Sequence, residues 1–120
     1  MKHGFWYSRL RSFGYAFEGL RYLFLHEGNA KLHLVAAMLV IIAGFIFNIS
    51  KVEWIAILIC IGMVISAEGM NTALDKICDK VSPEVNPLIK IAKDVAAGAV
   101  LILALISVVI GILIFYPKIF

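Results

Sequence analysis

Cysteine, proline and charge are all scarce in this chain. Of its 120 residues, two are cysteine and three proline, and Asp, Glu, Lys and Arg together make up 16%. Cys60 and Cys78 stand alone without a CxxC spacing, which leaves no basis for a thiol-bound metal or a redox pair. Cys60 reads as a small membrane-core residue and Cys78 as a reduced cytosolic thiol. The familiar phosphate-handling motifs are missing too. With no GxxxxGK[ST] loop and no HRD or DFG tripeptide, any kinase here is neither a P-loop enzyme nor a protein kinase. There is no internal repeat and no low-complexity tract. No small-residue cleavage pattern follows an early apolar core, so a secretory leader is not expected.

What the chain has is apolar length. Hydrophobic residues reach 62%, against about 45–50% in a soluble domain, and mean hydropathy is +0.98. The apolar residues gather in three runs, 32–48, 52–67 and 95–116. Each is near the roughly 20 residues that cross about 30 Å of hydrocarbon. The expected fold is an all-α integral membrane protein in a single domain. It has an amphipathic surface helix over 5–25 and transmembrane helices over 30–49, 52–80 and 93–116. In the surface helix Phe13, Phe17, Leu20 and Phe24 recur at helical spacing, and Trp6, Tyr7, Tyr15 and Tyr22 supply interfacial aromatics.

The net charge of +3 is the flanking charge of membrane helices rather than a nucleic-acid surface. Lys2, Arg9, Arg11, Arg21 and Lys31 precede the first run, and Lys76, Lys80, Lys90 and Lys93 lie between the second and third. The short link 49–53 holds one Lys and one Glu, and Lys118 alone follows the third run. This distribution predicts a cytoplasmic N-terminus and an outside C-terminus.

Glu68 carries the chemistry. It sits where the second apolar run gives way to polar residues, and an ionisable group near a bilayer centre costs roughly 2.5–3.5 kcal/mol on insertion scales. At about 100° per residue, Asn71, Asp75 and Asp79 fall within about 60° of Glu68 on a continued helix, with Thr72 close by. Three carboxylates, an amide and a hydroxyl thus share one face running from membrane depth into water. Beyond it, Ser82, Pro83, Glu84, Val85, Asn86 and Pro87 form a loop whose prolines stop the helix. A short cytoplasmic helix is expected from about Leu88, with Lys90, Lys93 and Asp94 on one face. The small residues Ala92, Ala96, Ala97, Gly98 and Ala99 suit close helix packing. His33, alone early in the first span, is expected to be hydrogen-bonded structure rather than a ligand. Glu27, beside the turn-permissive Gly28 and Asn29, reads from the residues alone as a solvated interfacial carboxylate.

Such a stripe suits phosphoryl transfer to a lipid alcohol. A carboxylate takes the hydroxyl proton, one or two carboxylates hold Mg²⁺ on a polyphosphate, and lysines offset phosphate charge. A polar seam pairing helices in an oligomer, or a proton relay in a small transporter, accounts for the same residues equally well.

The segment Ala67-Glu68-Gly69-Met70-Asn71-Thr72-Ala73-Leu74-Asp75 resembles the E-x-x-N-[ST]-A-[IL]-E pattern of the prokaryotic diacylglycerol kinase family. The likeness continues through Asp79, Ser82-Pro83-Glu84, Pro87-Leu88 and Ile91 to Val100, and takes in Gly14, Gly19 and Glu27-Gly28-Asn29. The Ser-Pro-Glu loop and the Phe-Tyr-Pro-Lys tail are similar to the Gram-positive branch, whose members are undecaprenol kinases. The resemblance implies a homotrimeric bacterial inner-membrane kinase that moves the γ-phosphate of ATP to a lipid alcohol at sites shared between subunits. Undecaprenol is the first expected acceptor and diacylglycerol the alternative.

By the same resemblance Glu68 is the base and Asn71 positions it, with Ser66 beside them at the lipid. Glu27 and Asp75 hold Mg²⁺. The nucleotide meets Arg9, Arg11, Tyr15, Glu27, Asp75, Asp79, Lys93 and Asp94. Asp75 departs from the family pattern, which has Glu there, and its shorter side chain alters metal distance.

Overall fold

A computed structural model describes residues 4–82, 84 and 86–120 of the chain. Lys2 of the N-terminal cation group and Pro83 of the expected helix stop lie outside the described residues. Four helices follow one another: α1 (Phe5–His26), α2 (Gly28–Ile46), α3 (Lys51–Val81) and α4 (Pro87–Ile119). Of these, α2, α3 and α4 are long and apolar enough to cross a membrane.

The single residue Glu27, in extended conformation (φ −104°, ψ 115°), separates α1 from α2. Gly28 and Asn29 do not form a turn; they open α2. At the other end of α2, Asn48 takes the left-handed conformation (φ 52°). This lets the Ile49 amide reach back to the Gly44 carbonyl at 3.2 Å, a helix stop that asparagine tolerates better than most residues. Ser50 then caps α3, its hydroxyl accepting from the Glu53 amide while the Ser50 amide donates to the Glu53 carboxylate at 2.9 Å.

The expected separate helix near Leu88 and the third span are one continuous helix of 33 residues. Asn86 Oδ1 accepts from the Leu88 and Ile89 amides, and Pro87 fills the first turn, where its missing N–H is no loss. The run of Ala92, Ala96, Ala97, Gly98 and Ala99 contains nothing that breaks a helix, so the cytoplasmic segment passes into the span without a joint. Pro117 sits in the last turn and does not end α4 before Ile119.

Helix α3 is the central element. It packs along α4, receives α2 on another side, and touches the end of α1. Ion pairs lie at both ends of the α3–α4 hairpin: Lys93 Nζ meets Asp79 at 2.6 Å near the loop, and Lys118 Nζ meets Glu53 at 3.0 Å at the far end. Near that far end Ile49, Ile57 and Ile114 are buried together, with Val40, Trp54 and Phe115 against them. Trp54 lies over Gly44, where any Cβ would come within 2.6 Å of the indole. The tryptophan therefore needs glycine beneath it.

Candidate active site

On α2, Ala30, His33, Ala37, Val40 and Gly44 recur at alternating spacings of three and four residues. On α3, Ile57, Ile61, Val64 and Glu68 do the same. Both stripes read as helix-packing seams. Along them Ala30, Ala37, Gly44, Ile57, Val64 and Glu68 are buried, so the small residues of one helix admit the larger side chains of the other. Glu68 is the only charged residue buried among the described residues.

His33 meets it. The Nε2 atom of His33 lies 3.2 Å from Oε1 of Glu68, with the carboxylate side chain 5% exposed and the imidazole side chain 28% exposed. A lone buried carboxylate would be costly to ionise, and a hydrogen-bonding partner offsets part of that cost. One turn along α3, Oδ1 of Asn71 is buried with no hydrogen-bond partner among the described residues. An orphaned acceptor of this kind costs about 1–3 kcal/mol and offers a place for an incoming donor. Gly69 leaves room for Leu23, whose methyl would sit 3.8 Å from an added Cβ. Leu23 is the buried residue of α1, so the end of α1 docks beside Glu68.

The stripe continues up α3. Asp75 lies about 10 Å above Glu68 along the axis, at roughly 1.5 Å per residue. Around it α1, α3 and α4 bring mixed charge together. Lys76 stands over the Tyr22 ring, 5.5 Å from its centroid, and interacts electrostatically with Glu27 and Asp79. Lys93 pairs with Asp79 and also feels Asp75, while Lys90 holds Asp94 at 2.6 Å. No ion pair among the described residues engages Glu27 or Asp75.

Other expected site residues lie apart. Arg9 stacks over Phe5 at 4.6 Å and Arg11 lies 5.8 Å from the Tyr15 ring centroid, so their contacts stay within α1, and all three of Arg9, Arg11 and Tyr15 are exposed. Ser66 is exposed on α3 about 160° around the helix from Glu68. The residue missed from sequence is the partner of Glu68. His33 was readable as part of the three-and-four seam on α2, but nothing in its own run points to α3.

Among the described residues no three His, Cys, Asp or Glu side chains converge on one point. A metal caged wholly by one chain is therefore not the expectation. Two oxygen donors, Glu27 and Asp75, suit a hard ion such as Mg²⁺, which keeps its remaining positions for phosphate and water. Cys60 and Cys78 are both free.

A three-span helical protein with a buried carboxylate at the foot of a polar stripe defines a class of membrane protein that handles a polar group at lipid depth. The sequence profile described as prokaryotic diacylglycerol kinase matches residues 14–115, and the chain belongs to that family. It is a lipid kinase and a multi-pass membrane protein, and the transporter reading falls away. The chain is 43% identical over 108 residues to a Bacillus subtilis undecaprenol kinase, spanning 90% of this chain and 88% of that one. It is 35% identical over 103 residues to a Synechocystis diacylglycerol kinase, covering 85% and 59% respectively. Against the Escherichia coli diacylglycerol kinase the identity is 24% over 100 residues, or 83% and 82% of the two chains.

Proposed function

We propose that the chain transfers the γ-phosphate of ATP to undecaprenol, forming undecaprenyl phosphate and ADP. The likeness to the Bacillus subtilis undecaprenol kinase across 90% of the chain supports the acceptor. The observation that carries the chemistry is Glu68, a carboxylate buried between apolar helix faces and met by His33. Diacylglycerol is the second reading, favoured by the relatives of that name.

Glu68 takes the proton of the lipid hydroxyl as its oxygen attacks the γ-phosphorus, and the bond to the ADP oxygen breaks. Asn71, one turn along α3 with its Oδ1 buried and unpartnered, lies beside the base and helps position it, while the hydroxyl's one proton goes to Glu68. Ser66 meets the lipid from the other side of α3. Glu27 and Asp75 hold Mg²⁺, which when bound offsets charge on the β- and γ-phosphates. Lys93, Asp94 and Asp79 border the nucleotide, and Arg9, Arg11 and Tyr15 approach it from α1.

Helix α1 lies on the membrane surface, its aromatics at headgroup level. The N-terminus and site face the cytoplasm of a bacterial inner membrane and the C-terminus faces outside, following the placement of Lys and Arg. Three copies assemble so that residues missing around one Glu68 are supplied by a neighbour. Phosphate transfer from radiolabelled ATP, with undecaprenol and diacylglycerol offered separately in mixed micelles, tests the reading. A clear rate preference for undecaprenol is expected. Preference for diacylglycerol would move the acceptor to the second reading, and no transfer to either would sink both.

A further inference from the structure

We propose that His33 is a positioning residue that holds Glu68 and carries its proton to water after each turnover. The inference rests on the reading of Glu68 as base. The geometry is asymmetric: the Glu68 side chain is almost sealed, while the imidazole 3.2 Å away is more than a quarter exposed. Among the described residues no other ion-pair partner reaches Glu68. A carboxyl group protonated by the lipid hydroxyl therefore has its way out through His33, which stands five residues into α2, about 7.5 Å from the start of that helix. Imidazole is the one side chain whose ordinary titration falls between about pH 5 and 8.

The surroundings of His33 suit that task. It also lines an apolar cavity of about 110 Å³ with Ala37, Ile57 and Val64, where Cys60 of α3 and Ser107 of α4 are the other polar side chains. The Ser107 hydroxyl is occupied, donating to the Leu103 carbonyl at 2.8 Å. From α3, Glu68 and Cys60 are thus the titratable groups facing this level. α4 brings none there, and α1 docks through Leu23. Among the described residues no second ion pair engages either His33 or Glu68.

The step balances simply. During transfer the hydroxyl proton passes to a Glu68 oxygen. Afterwards the Glu68 O–H gives that proton to Nε2 of neutral His33, restoring the carboxylate and leaving an imidazolium. The imidazolium releases it to water at the near end of α2. Without His33 the carboxyl group stays protonated longer, and turnover slows with little effect on nucleotide binding.

The test uses the full chain in mixed micelles with ATP and undecaprenol. His33→Ala should lower kcat at least tenfold while KM for MgATP stays within twofold, and added imidazole should restore much of the rate, more so as pH rises. His33→Gln fills the space and can hydrogen-bond but cannot carry a proton; it should stay slow and imidazole should not help. The pH profile of kcat should differ between wild type and His33→Gln. A His33→Gln enzyme with the wild-type rate and pH profile would overturn the proposal, as would a His33→Ala enzyme that imidazole does not rescue. Should His33→Ala fail to fold, His33→Gln carries the test alone. A wild-type chain that phosphorylates no lipid fails the kinase reading itself, whereas an active wild type with indifferent His33 variants fails only this inference.

Discussion

Glu68→Gln keeps the shape of the side chain and its contact with His33 but removes the base. Turnover should fall by about 10²-fold or more, the range seen when a positioned proton acceptor is lost, while MgATP still protects the protein against heat. Retention of most activity in the transfer assay would take the base role from Glu68. Asp75 tests the metal. Asp75→Asn removes one anionic oxygen from the proposed pair with Glu27, and the Mg²⁺ needed for half-maximal rate should rise about tenfold, equivalent to about 1.4 kcal/mol. An unchanged Mg²⁺ requirement would mean that Asp75 does not ligate. Asp75→Glu restores the longer family side chain and should keep activity.

At the scale of helices, the turn between α2 and α3 is tightly constrained, by the Gly44–Trp54 contact, the left-handed Asn48 and the Ser50 cap. Gly44→Ala would push a methyl into the Trp54 ring, 2.6 Å from its nearest carbon. Overpacking of this kind costs about 1–3 kcal/mol, partly offset by the better helix propensity of alanine. A lower Tm in detergent is the expected outcome, and an unchanged Tm would mean that the indole can shift freely.

The helices themselves were readable from sequence because length and hydropathy dominate in lipid. The three apolar runs lie within α2, α3 and α4, but for the last residues of the first, which enter the turn. The ends were less readable. Gly28 and Asn29 have turn chemistry, yet α2 starts on them because one extended residue suffices to redirect the chain. The alanine-rich stretch after Lys93 looked like a packing element after a separate helix; uninterrupted propensity instead joins the two. The α3 stripe followed from helical periodicity, since one helix fixes the angles of Glu68, Asn71, Asp75 and Asp79. Contacts across helices, such as His33 with Glu68 and Lys93 with Asp79, depend on how two helices are set against each other, which periodicity within either one does not specify.

Taken as a whole, the molecule leaves its surface unusually apolar. Phe45, Ile46, Ile59, Leu101, Ile102 and Leu113 are all exposed on the single chain. Lipid covers such faces, and in the proposed trimer so would other copies of the chain. On the proposal that three subunits share sites, cross-linking at low protein-to-detergent ratio should trap a three-chain species, and activity should track its abundance. A fully active single-chain species in the same micelles would refute shared sites. MgATP at millimolar concentration should raise the thermal stability of the assembly, because a ligand that binds only the folded form shifts unfolding by mass action.

The joint between α1 and α2 is a single residue, and that residue is Glu27. In most enzymes a hinge and a ligand are different residues, so a lever can swing while the ligand stays put. Here the bend in the backbone and the Cβ from which the carboxylate hangs belong to the same residue. A change in the tilt of α1 therefore moves the root of the proposed Mg²⁺ ligand with it.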